Sequence, residues 1–168
     1  STTRRERPNP PQPKGCQTAE QIAGYCNRFV LKNLEKSRKV VESMAGKYPL
    51  ALVTNFYGNI HAVLACYGLD GFFQAVVESA VVGVRKPDSR IFTLGVEALS
   101  VKPHEVAVVG DSLSKDIRPA RQAGCRTVWL RGLGWDGEQS DLHHDATRII
   151  TGIDQLEDAI TSIEMATI

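Results

Sequence analysis

Two carboxylates follow an apolar stretch of the sequence at a spacing that could hold a metal ion. Asp111 comes directly after the apolar run 106–109 and Gly110, and Asp116 follows five residues later. Such a run, β-branched except for one alanine, is typical of a buried parallel strand, and α/β proteins bind ligands at the carboxyl ends of such strands. Mg²⁺ binds oxygen ligands, often one or two carboxylates together with water and phosphate. The pair therefore predicts a Mg²⁺ site.

A hydroxyl and an amine could bind a phosphate group beside these carboxylates. Thr54 ends the apolar stretch 50–54, with Asn55 next to it, and Lys86 directly precedes Pro87. A hydroxyl can donate to a phosphoryl oxygen, and a compact ammonium group offsets the charge that develops during phosphoryl transfer. These residues are candidates for phosphate binding.

Each of these residues also has a structural interpretation that needs no ligand. Asp is common in turns and at helix starts, so Asp111 and Asp116 could serve only there. Thr54 could be an ordinary β-branched strand residue, and Lys86 a solvated loop lysine. Asp88 is better interpreted as a helix cap than as a catalytic group. Residue types and spacing leave both interpretations open.

Strand and helix patterns alternate along the chain. A helix is predicted from Thr18 to about residue 44, with a break near Asn27 or Asn33. Further helices are predicted at 60–67, 88–99, 116–122 and 153–163, and strands at 50–54, 75–78, 106–109, 127–130 and 148–150. Strands that alternate with helices predict parallel βαβ units, and hence an α/β fold.

Three stretches, in order, resemble motifs of the haloacid dehalogenase (HAD) superfamily. Leu50-Ala-Leu-Val-Thr-Asn55 is similar to the second motif, Gly83-Val-Arg-Lys-Pro-Asp88 to the third, and Glu105-Val-Ala-Val-Val-Gly-Asp-Ser-Leu-Ser-Lys-Asp116 to the fourth. The resemblance covers residues 31–160 and is closest to the helical-cap subfamily. It implies a Rossmann-like core with a mostly parallel sheet flanked by helices. The expected organisation is a Pro-rich arm at 1–17, a cap remnant and connecting helix at 18–46, and the core at 47–168.

The resemblance also implies a reaction and a role for each site residue. The expected enzyme is a Mg²⁺-dependent phosphatase acting on a small phosphate ester through an aspartyl-phosphate intermediate. The implied catalytic residues are Lys86 and Thr54, the phosphate-binding residues Thr54, Asn55 and Lys86, and the metal ligands Asp111 and Asp116. Asp116 is also expected to orient Lys86. A haloacid dehalogenase, which needs no metal, is an alternative.

The first motif of the family, which carries the nucleophilic Asp, is absent, since no Asp precedes Asp70. The resemblance places that strand between the strands 50–54 and 106–109. We therefore expect the chain to be a C-terminal fragment without most of its cap, inactive alone, with a gap that invites self-association or strand donation in trans. The other interpretation is a non-catalytic binding or regulatory module.

Composition narrows the classes of partner. The 168 residues are 42% apolar and 23% charged, with a net charge of +1, which argues against binding to nucleic acid or a membrane surface. The four cysteines form no metal-binding spacing, and without a secretory signal they favour the reducing cytoplasm. Cys66 and Cys125 are predicted to be core residues, and the pair His143-His144 to lie in a polar surface loop.

Overall fold

The computed structural model of the chain describes residues 19–132 and 146–165. By contacts the chain divides into two units, Ser1–Asn33 and Leu34–Ile168, and the second contains every strand of the described part. The predicted boundaries at 17 and 46 remain predictions. In chain order the elements are α1 (Ala19–Ala45), β1 (Ala51–Thr54), α2 (Ile60–Cys66), β2 (Ala75–Glu78), α3 (Ser79–Val82), α4 (Arg90–Leu99), β3 (Ala107–Gly110), α5 (Arg118–Gln122), β4 (Arg126–Leu130), β5 (Arg148–Ile150) and α6 (Leu156–Met165).

The strands pair in parallel, which confirms the predicted α/β fold. β1 pairs with β2, in a register that sets Thr54 opposite Glu78. β3 pairs with β4, and β4 pairs with β5. Within residues 19–132 and 146–165, β1 and β3 do not pair with each other, so the strands form two separate parallel sheets.

Helices cover the strands on two faces. Met44 of α1 and Ile160 of α6 pack in one apolar cluster with Ala107. Phe92 of α4 packs in another, with Val108. Because consecutive strand residues point to opposite faces, the two clusters lie on opposite sides of β3. The fold is therefore a layer of strands between helices, as the resemblance implied.

The prediction that residues 106–109 form a fully buried strand is wrong. All four residues of β1 and most of β3 are only half-buried, and the Val109 residue is 38% exposed. By contrast, β4, which has a neighbour on each side, is buried at Thr127, Val128 and Trp129. The reason is that β1 and β3 each lack a second neighbouring strand within the described part of the chain.

Two helices differ from the sequence prediction, one in its continuity and the other in where it begins. The first helix runs through Asn27 and Asn33 without a break. The helical segment predicted to begin at Asp116 begins instead with a π turn at Leu113–Ile117, which leads into α5. Ser112 precedes this turn, and its hydroxyl accepts a hydrogen bond from the Lys115 N–H at 3.2 Å. Ser112 therefore caps this segment, and Asp116 lies within the turn.

The two described cysteine thiols have different surroundings. Cys125 is buried as predicted, and burial raises the pKa of its thiol. Cys66 is exposed, so its assignment to the core is wrong. It is the last residue of α2, a seven-residue helix whose buried side chains are Ile60 and Leu64, so Cys66 faces away from the core.

Several sequence predictions concern residues outside the described part of the chain. They are the Pro-rich arm at 1–17 and the polar loop that contains the pair His143-His144. Among the described helices, none combines the length and hydropathy needed to cross a membrane.

Candidate active site

An ion pair between Lys86 and Asp116 forms the centre of the candidate site. The Lys86 Nζ donates to Asp116 Oδ1 at 2.7 Å, and the side chains are only 18% and 9% exposed. The other carboxylate oxygen, Oδ2, accepts a hydrogen bond from the Ser112 N–H at 3.2 Å. Both carboxylate oxygens therefore have protein donors, and the Lys86 ammonium is held at the ends of β1 and β3.

Gly110 provides the space that Asp116 occupies. A Cβ atom at residue 110 would lie 2.3 Å from the Cβ of Asp116, well inside van der Waals contact. The backbone of Gly110 does not have a positive φ, so the close approach of Asp116, and not the backbone conformation, requires glycine here. Any larger residue at 110 would push Asp116 away from Lys86.

Asn55 fixes the loop that carries Lys86. Its side-chain Nδ2 donates to the Lys86 carbonyl at 3.0 Å, and its Oδ1 accepts from the Lys86 N–H at 2.8 Å. These paired hydrogen bonds join the end of β1 to a residue 31 positions further along the chain. The amide of Asn55 therefore positions the lysine backbone, and the ion pair with Asp116 positions its ammonium group.

Thr54 lies next to Asn55 as the last residue of β1. Its hydroxyl has no hydrogen-bond partner among the described residues, and the residue is half-buried. A hydroxyl at a strand end, beside a held ammonium group, is available to donate to an anionic oxygen.

Asp111 differs from Asp116 in its surroundings. It is exposed, and its main-chain carbonyl accepts a hydrogen bond from the Trp129 Nε1 at 3.1 Å, which fixes the backbone after β3. Its carboxylate has no partner within residues 19–132 and 146–165. The same residues contain no group of three or more His, Cys, Asp or Glu side chains that could hold a metal. The carboxylate oxygens of Asp116 already accept hydrogen bonds from Lys86 and Ser112. Of the two predicted metal ligands, Asp111 is therefore the one whose carboxylate oxygens accept no hydrogen bond from the described residues.

Glu78 is a positioning residue that the sequence did not reveal. It is 3% exposed, at the end of β2 and opposite Thr54. Its Oε1 accepts from the Gly58 N–H at 2.6 Å and from the Ile60 N–H at 3.4 Å, so it holds the loop after β1. The one signal in the sequence was an acidic residue at the end of an otherwise apolar strand. That pattern is equally typical of a strand end that is exposed to solvent, so it did not single out Glu78.

Asp88 hydrogen-bonds to the start of a helix, as expected of a cap, although the N-cap position itself is Ser89. Its Oδ1 accepts from the Arg90 N–H at 3.0 Å, at the start of α4. The Arg90 guanidinium forms an ion pair with the same carboxylate at 2.6 Å and holds the pKa of Asp88 below its ordinary value. The main-chain N–H and the guanidinium that contact Asp88 both belong to Arg90, at the start of the helix. In this loop it is Lys86 whose charged group reaches the candidate site.

The sequence matches the haloacid dehalogenase-like hydrolases over residues 17–124. It is 45% identical over 86 residues to a phosphoserine phosphatase of Thermus thermophilus, and the aligned segment covers 50% of this chain and 34% of that protein. It is 38% identical over 88 residues to a glyceraldehyde 3-phosphate phosphatase of Pyrococcus furiosus, covering 52% of this chain and 37% of that one. The matched segments thus span little more than a third of these relatives.

The fold is also similar to that of a solved HAD phosphatase from Thermococcus onnurineus. The TM-score is 0.65 at 29% sequence identity, and the similarity covers 73% of this chain and 55% of the other. Residues 17–124 include Thr54, Asn55, Lys86, Asp111 and Asp116, so the match contains the whole candidate site.

Proposed function

The chain belongs to the haloacid dehalogenase-like hydrolases, and on that premise we propose that it forms the phosphate-binding and metal-binding part of a Mg²⁺-dependent phosphohydrolase. The observation that carries the proposal is the Lys86–Asp116 ion pair, held at the ends of β1 and β3 beside Thr54. The aspartyl-phosphate intermediate expected for the family would form on an Asp that lies outside these 168 residues.

Lys86 and Thr54 would bind the phosphate. The ammonium group attracts a phosphate dianion and offsets the charge of the transferring group, and Asp116 keeps it aimed at the site. The Thr54 hydroxyl would donate to a second phosphate oxygen. Asn55 already binds both polar groups of the Lys86 backbone, and this supports a positioning role for it.

Asp111 would be the metal ligand of this chain. Its exposed carboxylate fits a hard cation that binds through few protein oxygens and retains water and phosphate oxygens. When bound, Mg²⁺ would neutralise phosphate charge. The contacts of Asp116 support an orienting role toward Lys86 more directly than metal ligation.

The substrate class proposed is a small phosphate monoester. The relatives named for phosphoserine and for glyceraldehyde 3-phosphate share only a phosphate on a small organic molecule, and this supports the class without selecting a member. A held ammonium group beside a free hydroxyl favours phosphoryl chemistry over dehalogenation.

The proposal predicts that inorganic phosphate binds at Lys86. In calorimetric titrations with Mg²⁺ present, the change Lys86→Met should raise the Kd for phosphate at least tenfold, because it removes the cation and keeps the length of the side chain. Arg85→Met is the matched control, since Arg85 is the adjacent cation and is exposed; its Kd should stay within twofold. Equal losses in both variants would reduce the effect to general surface charge and contradict the site.

For the metal, we predict that Asp111→Asn weakens Mg²⁺ binding at least tenfold. The substitution removes the carboxylate charge and keeps the side-chain shape, and the exposed position predicts little change in stability. Calorimetry measures the affinity, and circular dichroism with thermal unfolding shows that the fold is kept. Unchanged affinity would remove Asp111 from the metal site, whereas phosphate binding to Lys86 in the absence of metal would be unaffected.

A further inference from the structure

The peptide group between Asp111 and Ser112 is held by hydrogen bonds on both of its polar atoms, and we call it the 111–112 peptide group. The Trp129 Nε1–H donates to its carbonyl at 3.1 Å. On the opposite side, its N–H donates to Asp116 Oδ2 at 3.2 Å. Because a peptide group is planar, these two bonds together fix its orientation, and hence the main chain from which the Asp111 carboxylate extends.

The register of the sheet brings Trp129 to this peptide group. In the pair of β3 and β4, Gly110 lies opposite Trp129, so Asp111 is the first residue beyond the strand. The indole is 3% exposed and packs with the fully buried Leu113 and Ile117, the first and last residues of the π turn. The ring is thus fixed against the turn that follows the proposed metal ligand, and its N–H points to the main chain of that ligand.

Burial alone does not account for this hydrogen bond. An apolar side chain could pack among Leu113, Ile117 and Ile149 without a polar atom that needs a partner. The carbonyl belongs to the exposed residue Asp111, so water would satisfy it equally well. What the indole adds is therefore a fixed position for the residue with the exposed carboxylate.

Asp116 links the 111–112 peptide group to the proposed phosphate-binding amine. Its Oδ1 accepts from the Lys86 Nζ at 2.7 Å, while its Oδ2 accepts from the peptide N–H. A continuous series of hydrogen bonds therefore runs from the Lys86 ammonium through Asp116 and the peptide group to the indole of Trp129. Because bonds in such a series polarise one another, a change at Asp111 reaches the indole.

We propose that Trp129 is a positioning residue of the metal site, and that its indole N–H holds the main chain of Asp111 so that the carboxylate is oriented for a divalent cation before the cation binds. This inference rests on the proposed function, in which Asp111 is the metal ligand. A ligand that is already oriented loses less conformational freedom on binding, so the indole strengthens Mg²⁺ binding without contacting the ion.

The test uses chains in which Trp129 is the one remaining tryptophan. Trp135→Phe removes the other tryptophan of the sequence and gives the reference chain. In that chain, 3-benzothienylalanine in place of Trp129 exchanges the N–H for a sulfur atom and keeps the size of the ring. We expect the calorimetric Kd for Mg²⁺ to rise about tenfold, a typical cost of removing a group that orients a metal ligand.

Nuclear magnetic resonance provides a readout that a merely structural role would not move. The indole N–H resonance of the reference chain should shift during a titration with Mg²⁺, with the same Kd as in calorimetry. Asp111→Asn should abolish this shift and leave the resonance itself in place, because the hydrogen bond goes to the main-chain carbonyl.

Ile149→Val is the matched control, because Ile149 packs against the same cluster and makes no hydrogen bond to Asp111. It should lower the temperature of unfolding and keep the Kd for Mg²⁺ within twofold. Thermal unfolding of each chain establishes that it is folded. An equal loss of affinity in this control would assign the effect to general stability and contradict the role of Trp129.

Two further results would overturn the inference: an unchanged Kd in the benzothienylalanine chain, or an indole resonance that does not move at saturating Mg²⁺. If Asp111→Asn leaves the Kd unchanged, or if the reference chain binds no Mg²⁺, the proposed metal ligand is wrong and the role of Trp129 is wrong with it. If Asp111→Asn loses affinity and the benzothienylalanine chain does not, the metal ligand stands and only the role of Trp129 is wrong.

Discussion

Replacing Asp116 with alanine is expected to lower the free energy of unfolding by about 3–5 kcal/mol, the cost of breaking a buried ion pair by removing one partner. Lys86 is 18% exposed and Asp116 9%, so the ammonium group left behind cannot regain full hydration without leaving its place. The Ser112 N–H loses its acceptor in the same variant. Urea denaturation measures the change, and an unchanged slope would show that the denatured state is comparable.

Two further variants separate the ion pair from other effects of the substitution. Asp70→Ala removes an exposed carboxylate and should change stability by no more than about 0.5 kcal/mol. In the double variant Lys86→Met with Asp116→Asn, both charges are gone and the amide oxygen still accepts from Ser112. It should be more stable than Asp116→Asn alone. If the changes in the free energy of unfolding of the two single variants add up to that of the double variant, the two side chains are not coupled. The ion pair would then not be the centre of the site.

The sequence was sufficient to predict the strands and the contact between Lys86 and Asp116. β5 has the predicted limits, and β3 is shifted by one residue, because short apolar runs bounded by polar or glycine residues specify parallel strands. The resemblance implied that Asp116 orients Lys86, and the 2.7 Å contact between their side chains agrees with that expectation. The roles assigned to Thr54, Asn55 and Asp111 stay predictions.

What the sequence could not reveal depends on contacts between distant residues. The composition of the apolar run 106–109 gave no sign that one edge of its strand would be open, because composition records suitability for burial and not the presence of a neighbour. Only the missing first motif of the family indicated a gap there. The two hydrogen bonds of Asn55 to Lys86 join residues 31 positions apart, and the buried Glu78 binds a loop 18 to 20 positions earlier. Such pairings follow from the register of β1 and β2, which no local pattern contains.

The largest change in activity is expected when the chain is mixed with a strand peptide that ends in the family motif Asp-x-Asp. The resemblance assigns the nucleophile and the general acid to those two carboxylates, and a strand in the cavity between β1 and β3, which Lys86 and Asp116 line, would place them beside Lys86. Hydrolysis of p-nitrophenyl phosphate with Mg²⁺ should then rise well above that of either component alone. In the mixture, Lys86→Met should reduce the rate by about 100- to 1,000-fold, the usual cost of removing one group that stabilises transition-state charge.

The controls separate peptide binding from hydrolysis. A peptide in which the first Asp is Asn should bind equally well and give only the background rate, because an amide cannot form the covalent intermediate. Arg85→Met should keep the rate within twofold. If the peptide binds and yet no hydrolysis appears, the proposed phosphohydrolase is wrong. If phosphate binds at Lys86 and the peptide does not bind, the phosphate site stands and hydrolysis cannot be tested with this peptide.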